Sequence, residues 1–96
     1  MNLPKLKIAG GVWDSSRDAI IKGAKLTLYG EDGLDASTES DDYGDFRFQG
    51  LNSGNYTLEV TADGYETVII ESIQLKKDSL KIVDIPMMRT KINRPD

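Results

Sequence analysis

The chain has 96 residues, 39% of them apolar and 29% charged, with a formal net charge of −4. That length suits one domain with a thin core, and the balance is that of a folded chain. It contains no histidine and no cysteine, which excludes disulfides, thiol nucleophiles, thiolate or imidazole metal sites and histidine acid–base chemistry.

Almost everywhere the hydrophobic period is two. Leu6, Ile8, Gly10 and Val12 alternate with Lys5, Lys7 and Trp13 in a first predicted strand. Ala24, Leu26 and Leu28 make the next, against Lys25, Thr27 and Tyr29. Residues 34–40 alternate poorly and are polar, which predicts an edge strand whose acids discourage pairing with other chains. Phe46 and Phe48 flank Arg47, and Tyr56, Leu58, Val60 and Ala62 alternate with Thr57, Glu59 and Thr61. Such alternation predicts strands with one buried and one wet face. A continuous apolar run, Thr67-Val-Ile-Ile70, follows, then Ile73 and Leu75, then Leu80, Ile82 and Ile85. The slip in phase between Ile82 and Ile85 predicts a bulge or a change of facing. Turn signals separate these runs at Gly30–Gly33, Asp42–Asp45, Asn52–Asn55, Asp63-Gly64 and Lys76–Ser79. About seven strands at this spacing, with no helical stripe, predict an all-β fold, a small antiparallel two-sheet β-sandwich. Residues 1–4 are read as an N-terminal extension, 5–86 as the sandwich domain, and 87–96 as a basic, flexible C-terminal tail.

Charge is unevenly spread. Residues 1–25 carry five basic and two acidic side chains, residues 26–75 carry Arg47 against eleven acids, and residues 76–96 carry six basic and three acidic. An acidic middle argues against a nucleic-acid partner, which requires a basic face. No apolar run approaches the roughly eighteen residues of a membrane span, and the first residues carry no apolar signal-peptide core. Neither a membrane partner nor a secretory signal is expected within the chain, and the compartment is left open.

The order of motifs resembles a known family. Ile8-Ala-Gly-Gly11-Val12 is followed by Gly23-Ala24-Lys-Leu26-Thr-Leu28, then Ser40-Asp-Asp-Tyr-Gly44-Asp-Phe46-Arg-Phe48, Gly50-Leu51, Gly54-Asn-Tyr56-Thr-Leu58-Glu-Val60 and Gly64-Tyr65. From about residue 6 to 86 this looks like the carboxypeptidase regulatory-like domain, a prealbumin-like, Ig-like sandwich. Each motif alone is weak, and their order is the specific part. A narrower likeness lies in Asp42-Tyr-Gly-Asp45-Phe and Val83-Asp84-Ile85-Pro86. They are similar to the C-terminal accessory sandwich of iron–sulfur subunits in transhydroxylase-type molybdopterin oxidoreductases. This chain lacks every cluster-binding cysteine of such a subunit, so the resemblance implies no cluster and no cofactor here.

Three groups of side chains invite a function. Asp41, Asp42 and Asp45, within a longer acidic stretch, are candidates for a weak Ca²⁺ site, but lack EF-hand spacing, and aspartate is favoured in turns in any case. Trp13, Tyr29 and Tyr43 fall on the polar phase of their strands or on a turn. They are candidates for a carbohydrate platform, if two were coplanar, or equally for a protein interface; the plainer reading is that Trp13 covers an end of the core and Tyr29 packs across strands. Tyr65 is expected to lie over the sandwich end with its hydroxyl bonded. An intramolecular Lys–Asn isopeptide, as in related pilin and adhesin sandwiches, requires a buried acid, whereas Glu59 is out of phase with the inward Tyr56, Leu58 and Val60. No catalytic constellation is present. The expected role is that of a non-catalytic module packing against or positioning a protein domain or subunit, with a carbohydrate-binding module as the alternative.

Overall fold

The computed structural model describes residues 6–31, 33–76 and 80–90. Among them run nine strands: β1 (Leu6–Asp14), β2 (Ala19–Ile20), β3 (Lys25–Gly30), β4 (Gly33–Glu39), β5 (Asp45–Leu51), β6 (Gly54–Thr61), β7 (Val68–Leu75), β8 (Leu80–Ile82) and β9 (Ile85–Met87). The described residues contain no helix, and hence none long and apolar enough to cross a membrane.

Two sheets result. One has the order β4-β3-β6-β7, antiparallel throughout, with β4 at an edge as its polar composition predicts. The other is centred on β1, which pairs antiparallel with β5 and β2 and parallel with β8 and β9. The two parallel pairings depart from the antiparallel expectation. A parallel pair cannot be closed by a tight hairpin, and here the whole second sheet serves as the crossover between β1 and β8. The count exceeds seven because Ala19–Ile20 pairs as a two-residue strand and the last segment divides in two.

Period-two alternation decides which side chains meet between the sheets. Leu26, Leu28, Phe46, Phe48, Tyr56, Leu58 and Val60 are all buried, as are Ile8, Val12, Ile73, Leu75, Ile85 and Met87. The Phe46 and Phe48 rings meet edge to face, their centroids 6.1 Å apart. After Phe48 the phase slips. Leu6 pairs with Leu51 and Ile8 with Phe48, so β5 has one extra residue, and Gly50 takes it up at a φ of 68°. Leu51 thereby turns inward instead of Gly50.

The phase break near residue 83 also has a visible cause. The Val83 amide donates to the Ala9 carbonyl at 2.8 Å, which bends the chain between β8 and β9. Ile82 remains 59% exposed while Ile85 is fully buried, the change of facing expected from sequence. This approach requires Gly10, because a methyl group there would overlap the Val83 carbonyl and press on the Phe46 ring. Pairing continues beyond residue 86: Met87 is buried, the Met88 carbonyl accepts from the Glu66 amide at 2.8 Å, and the Thr90 amide donates to Gly64 at 3.0 Å. Residues 1–4 and 91–96, assigned to the extension and the tail, lie outside the described residues.

Phe46→Ala removes a ring from the centre of this thin core and is expected to destabilise by about 3–5 kcal/mol, comparable to the whole stability of a small domain. Urea unfolding measures it, and a loss below about 1 kcal/mol would contradict the packing described.

Candidate functional site

The two outer faces differ in chemistry. On β1, Val12 and Asp14 point inward, so Trp13 between them points out. Trp13 is the cross-strand partner of Ile20 on one side and of Pro86 on the other. Partners in register share a face, and the three form an apolar row across β2, β1 and β9. Ala9 pairs with Ile82 and Lys7 with Leu80, which extends the same face along β8. Ile20, Leu80 and Ile82 are each more than half exposed. Arg47, the register partner of Ala9, and Lys7 add positive charge.

The opposite face, formed by β3, β6 and β7, is mostly polar, with Ile69 of β7 exposed on it opposite Glu59. Tyr29, Thr27, Thr57 and Glu59 occupy its outward positions. The Tyr29 hydroxyl donates to Glu59 Oε1 at 3.2 Å. That bond to a carboxylate, with partial burial, pushes the phenol pKa up and keeps it a neutral donor. Glu59 therefore faces outward, as its phase requires. Trp13 and Tyr29 lie on opposite faces, so the sequence candidates do not form one aromatic platform. Tyr43 sits in the turn before β5, 75% exposed. That turn is joined to β1 through the Val12 amide, which donates to Gly44 at 2.8 Å.

The three candidate aspartates have separate roles. Asp41 Oδ1 accepts the amides of Tyr43 and Asp45, each at 2.9 Å, a turn held by a side chain that mimics backbone. Asp42 pairs with Lys22 at 3.3 Å, both exposed, a contact of little energetic weight. Asp45 opens β5 beside Gly11. Among the described residues no three acidic side chains converge in a way that could hold a metal ion.

One polar centre escaped the sequence reading, which found no buried acid. Asp14, at the inner end of β1, is 1% exposed. Its Oδ1 accepts the Ser16 hydroxyl at 2.6 Å and the Ser16 amide at 2.8 Å. Its Oδ2 accepts the Tyr65 hydroxyl at 2.7 Å, and Arg17 Nε lies 3.5 Å from it. Tyr65 thus finds the partner expected of it, 51 residues back along the chain. Ser15 adds a hydroxyl bond to the Met87 carbonyl at 3.1 Å. The available signal was Asp14-Ser-Ser16, in which an aspartate accepts the amide two residues on. The hydroxyls of Ser16 and Tyr65 hold the Asp14 carboxyl well below its ordinary value of 3.8, against the opposing effect of burial.

A carboxyl with a lowered folded-state pKa stabilises the fold above its unfolded pKa, and that contribution is lost as pH falls below it. The melting temperature of the native chain is therefore expected to be steady from pH 7 to about 5 and to fall below about pH 4. In Asp14→Asn the neutral-pH melting temperature drops and the acid limb becomes shallower. Equal acid limbs in the two proteins would show that Asp14 is not the responsible group.

Comparison with known proteins agrees with this architecture. The carboxypeptidase regulatory-like domain family matches residues 7–88. The small subunit of pyrogallol hydroxytransferase from Pelobacter acidigallici is 34% identical over 64 residues, covering 64% of this chain and 23% of that one. A fibrinogen-binding protein of Staphylococcus epidermidis is 39% identical over 64 residues, covering 57% of this chain and 6% of that one. The chain therefore spans less than a quarter of the length of either relative. The shaft pilin SpaA of Lactobacillus rhamnosus GG shares the fold, with a TM-score of 0.66 at 17% identity over 94% of this chain and 49% of that one. With the family match running from β1 to just past β9, this chain belongs to the carboxypeptidase regulatory-like domain family.

Proposed function

We propose that this domain is a non-catalytic accessory module that packs, through the outer face of the β1 sheet, against a neighbouring domain or subunit of a larger protein. The observation that carries this reading is the in-register apolar row Ile20–Trp13–Pro86, continued by Ile82 and Leu80. A large ring set among exposed aliphatic side chains is the usual centre of a protein contact. The occupant is a neighbouring part of the same protein assembly, since the relatives extend far beyond the matched segment. Trp13 and Tyr43 are the anchors, and Lys7 and Arg47 favour an acidic rim on the partner. Similarity to a hydroxytransferase small subunit supports a redox-enzyme subunit as the parent. With no cysteine the chain has no thiolate to ligate an iron–sulfur cluster, and with no histidine it has no imidazole base.

Trp13 is the single tryptophan, so quenching can report on this face. In the full-length parent assembly, acrylamide quenching of a protein in which Trp13 is the sole tryptophan should fall several-fold relative to the isolated domain. Trp13→Ser with Ile20→Ser should leave the isolated domain's stability within about 1 kcal/mol while loosening the assembly by about 2 kcal/mol or more. Equal quenching in both contexts, or no effect on the assembly, would dismiss the docking role.

A further inference from the structure

We propose a second site on the opposite face: a groove at the bulged end of β7 that binds a neutral oligosaccharide. It is independent of the docking surface, because the two lie on different sheets.

The groove encloses about 420 Å³, within the range of small-ligand sites. Register builds it. Tyr29 of β3 is opposite Thr57 of β6, and Asn55 of β6 is opposite Gln74 of β7. Between the Tyr56–Ile73 and Leu58–Ile70 pairs the register shifts, so β7 gains a residue where Glu71 and Ser72 border the groove. Ser72 takes a φ of 61° there, a conformation that costs a non-glycine residue energy and recurs at ligand sites. The bulge re-aims Glu71 and Ser72 beside the row formed by Tyr29 and Thr57.

The chemistry of the walls selects the ligand class. Tyr29 offers a ring whose hydroxyl is bonded to Glu59, and the face of such a ring suits the C–H side of a pyranose. Asn55 and Gln74 supply paired donors and acceptors, and Glu71 a planar acceptor, all matched to vicinal hydroxyls. Among the described residues, no Lys or Arg lines the groove. With Glu31 and Glu71 on the rim and Glu59 behind the ring, an anionic ligand would meet only like charge. Phosphates, nucleotides and uronates are thereby disfavoured, and the ring beside the paired amides of Asn55 and Gln74 matches a neutral polyhydroxyl ligand.

The test is titration of the isotope-labelled 96-residue chain by ¹H–¹⁵N correlation spectra with cellotetraose, maltotetraose, mannotetraose and xylotetraose, and with tetragalacturonate as the acidic comparison. At least one neutral tetrasaccharide should give saturable shifts at the amides of Tyr29, Asn55, Thr57 and Gln74, and tetragalacturonate none. Tyr29→Ala should weaken binding by roughly tenfold or more, while Glu66→Gln, at an exposed position outside the groove, leaves it unchanged. Should Tyr29→Ala lose its dispersed spectrum, Gln74→Ala on the wet side of β7 is expected to weaken binding in its place. Absence of saturable shifts with all four neutral sugars, shifts confined to the Trp13 face, comparable binding of tetragalacturonate, or undiminished binding by folded variants would each overturn the site.

Discussion

β1 is the strand on which the rest of the sandwich depends. It hydrogen-bonds to four others, two antiparallel and two parallel. Its inward residues Ile8, Val12 and Asp14 are buried. Four partners can share nine residues only because each takes a short stretch, and because the strand narrows at Gly10. There the Val83 backbone crosses close to β1 while the Phe46 ring packs from β5. A side chain at that position would have to displace backbone on one side or a core ring on the other. The same strand closes with Asp14, whose hydrogen bond to Tyr65 joins it to the loop leaving β6. Packing of the two sheets is thus secured at one end by a polar contact that is itself fully bonded, which is the condition under which a buried carboxylate stabilises rather than weakens a core.

How much of this was legible in the sequence follows from the range of each signal. The inward sets Leu26–Leu28, Phe46–Phe48 and Tyr56–Leu58–Val60 were readable because period-two burial is local. The edge position of β4 was readable because its polarity is local too. Asp14 was not, since its neighbours form a polar turn and its burial depends on a residue 51 positions away. β2 was missed because two residues carry no period. Leu80 and Ile82 read like further core, yet they lie on the outer face, a distinction that apolar character alone does not make. Trp13 and Tyr29 fall on the polar phase of their strands, but only the register reveals that they point away from each other on separate sheets.

A division of labour between the faces follows from the same topology. Strands from both ends of the domain, joined by β5 from its middle, assemble one sheet and bring basic and apolar residues with them. The acidic middle of the sequence supplies the other sheet, with its threonines and glutamates. The charge blocks of the linear chain are thereby converted into two faces of different chemistry. One is suited to excluding water against another protein surface, the other to remaining hydrated.

The parallel pairing of β1 with β8 and β9 has a mechanical consequence. The chain enters the sheet at Leu6 and leaves it at Met87, beside Asp14 at the far end of β1. Entry and exit are therefore separated by the length of nine extended residues, about 30 Å. Tension applied through the two ends runs along the strands. It loads the β1–β8 and β1–β9 hydrogen bonds together in shear, instead of opening them one after another as at the end of a hairpin. With β1 clamped beside β8 and β9, the sheet resists such a pull as a unit.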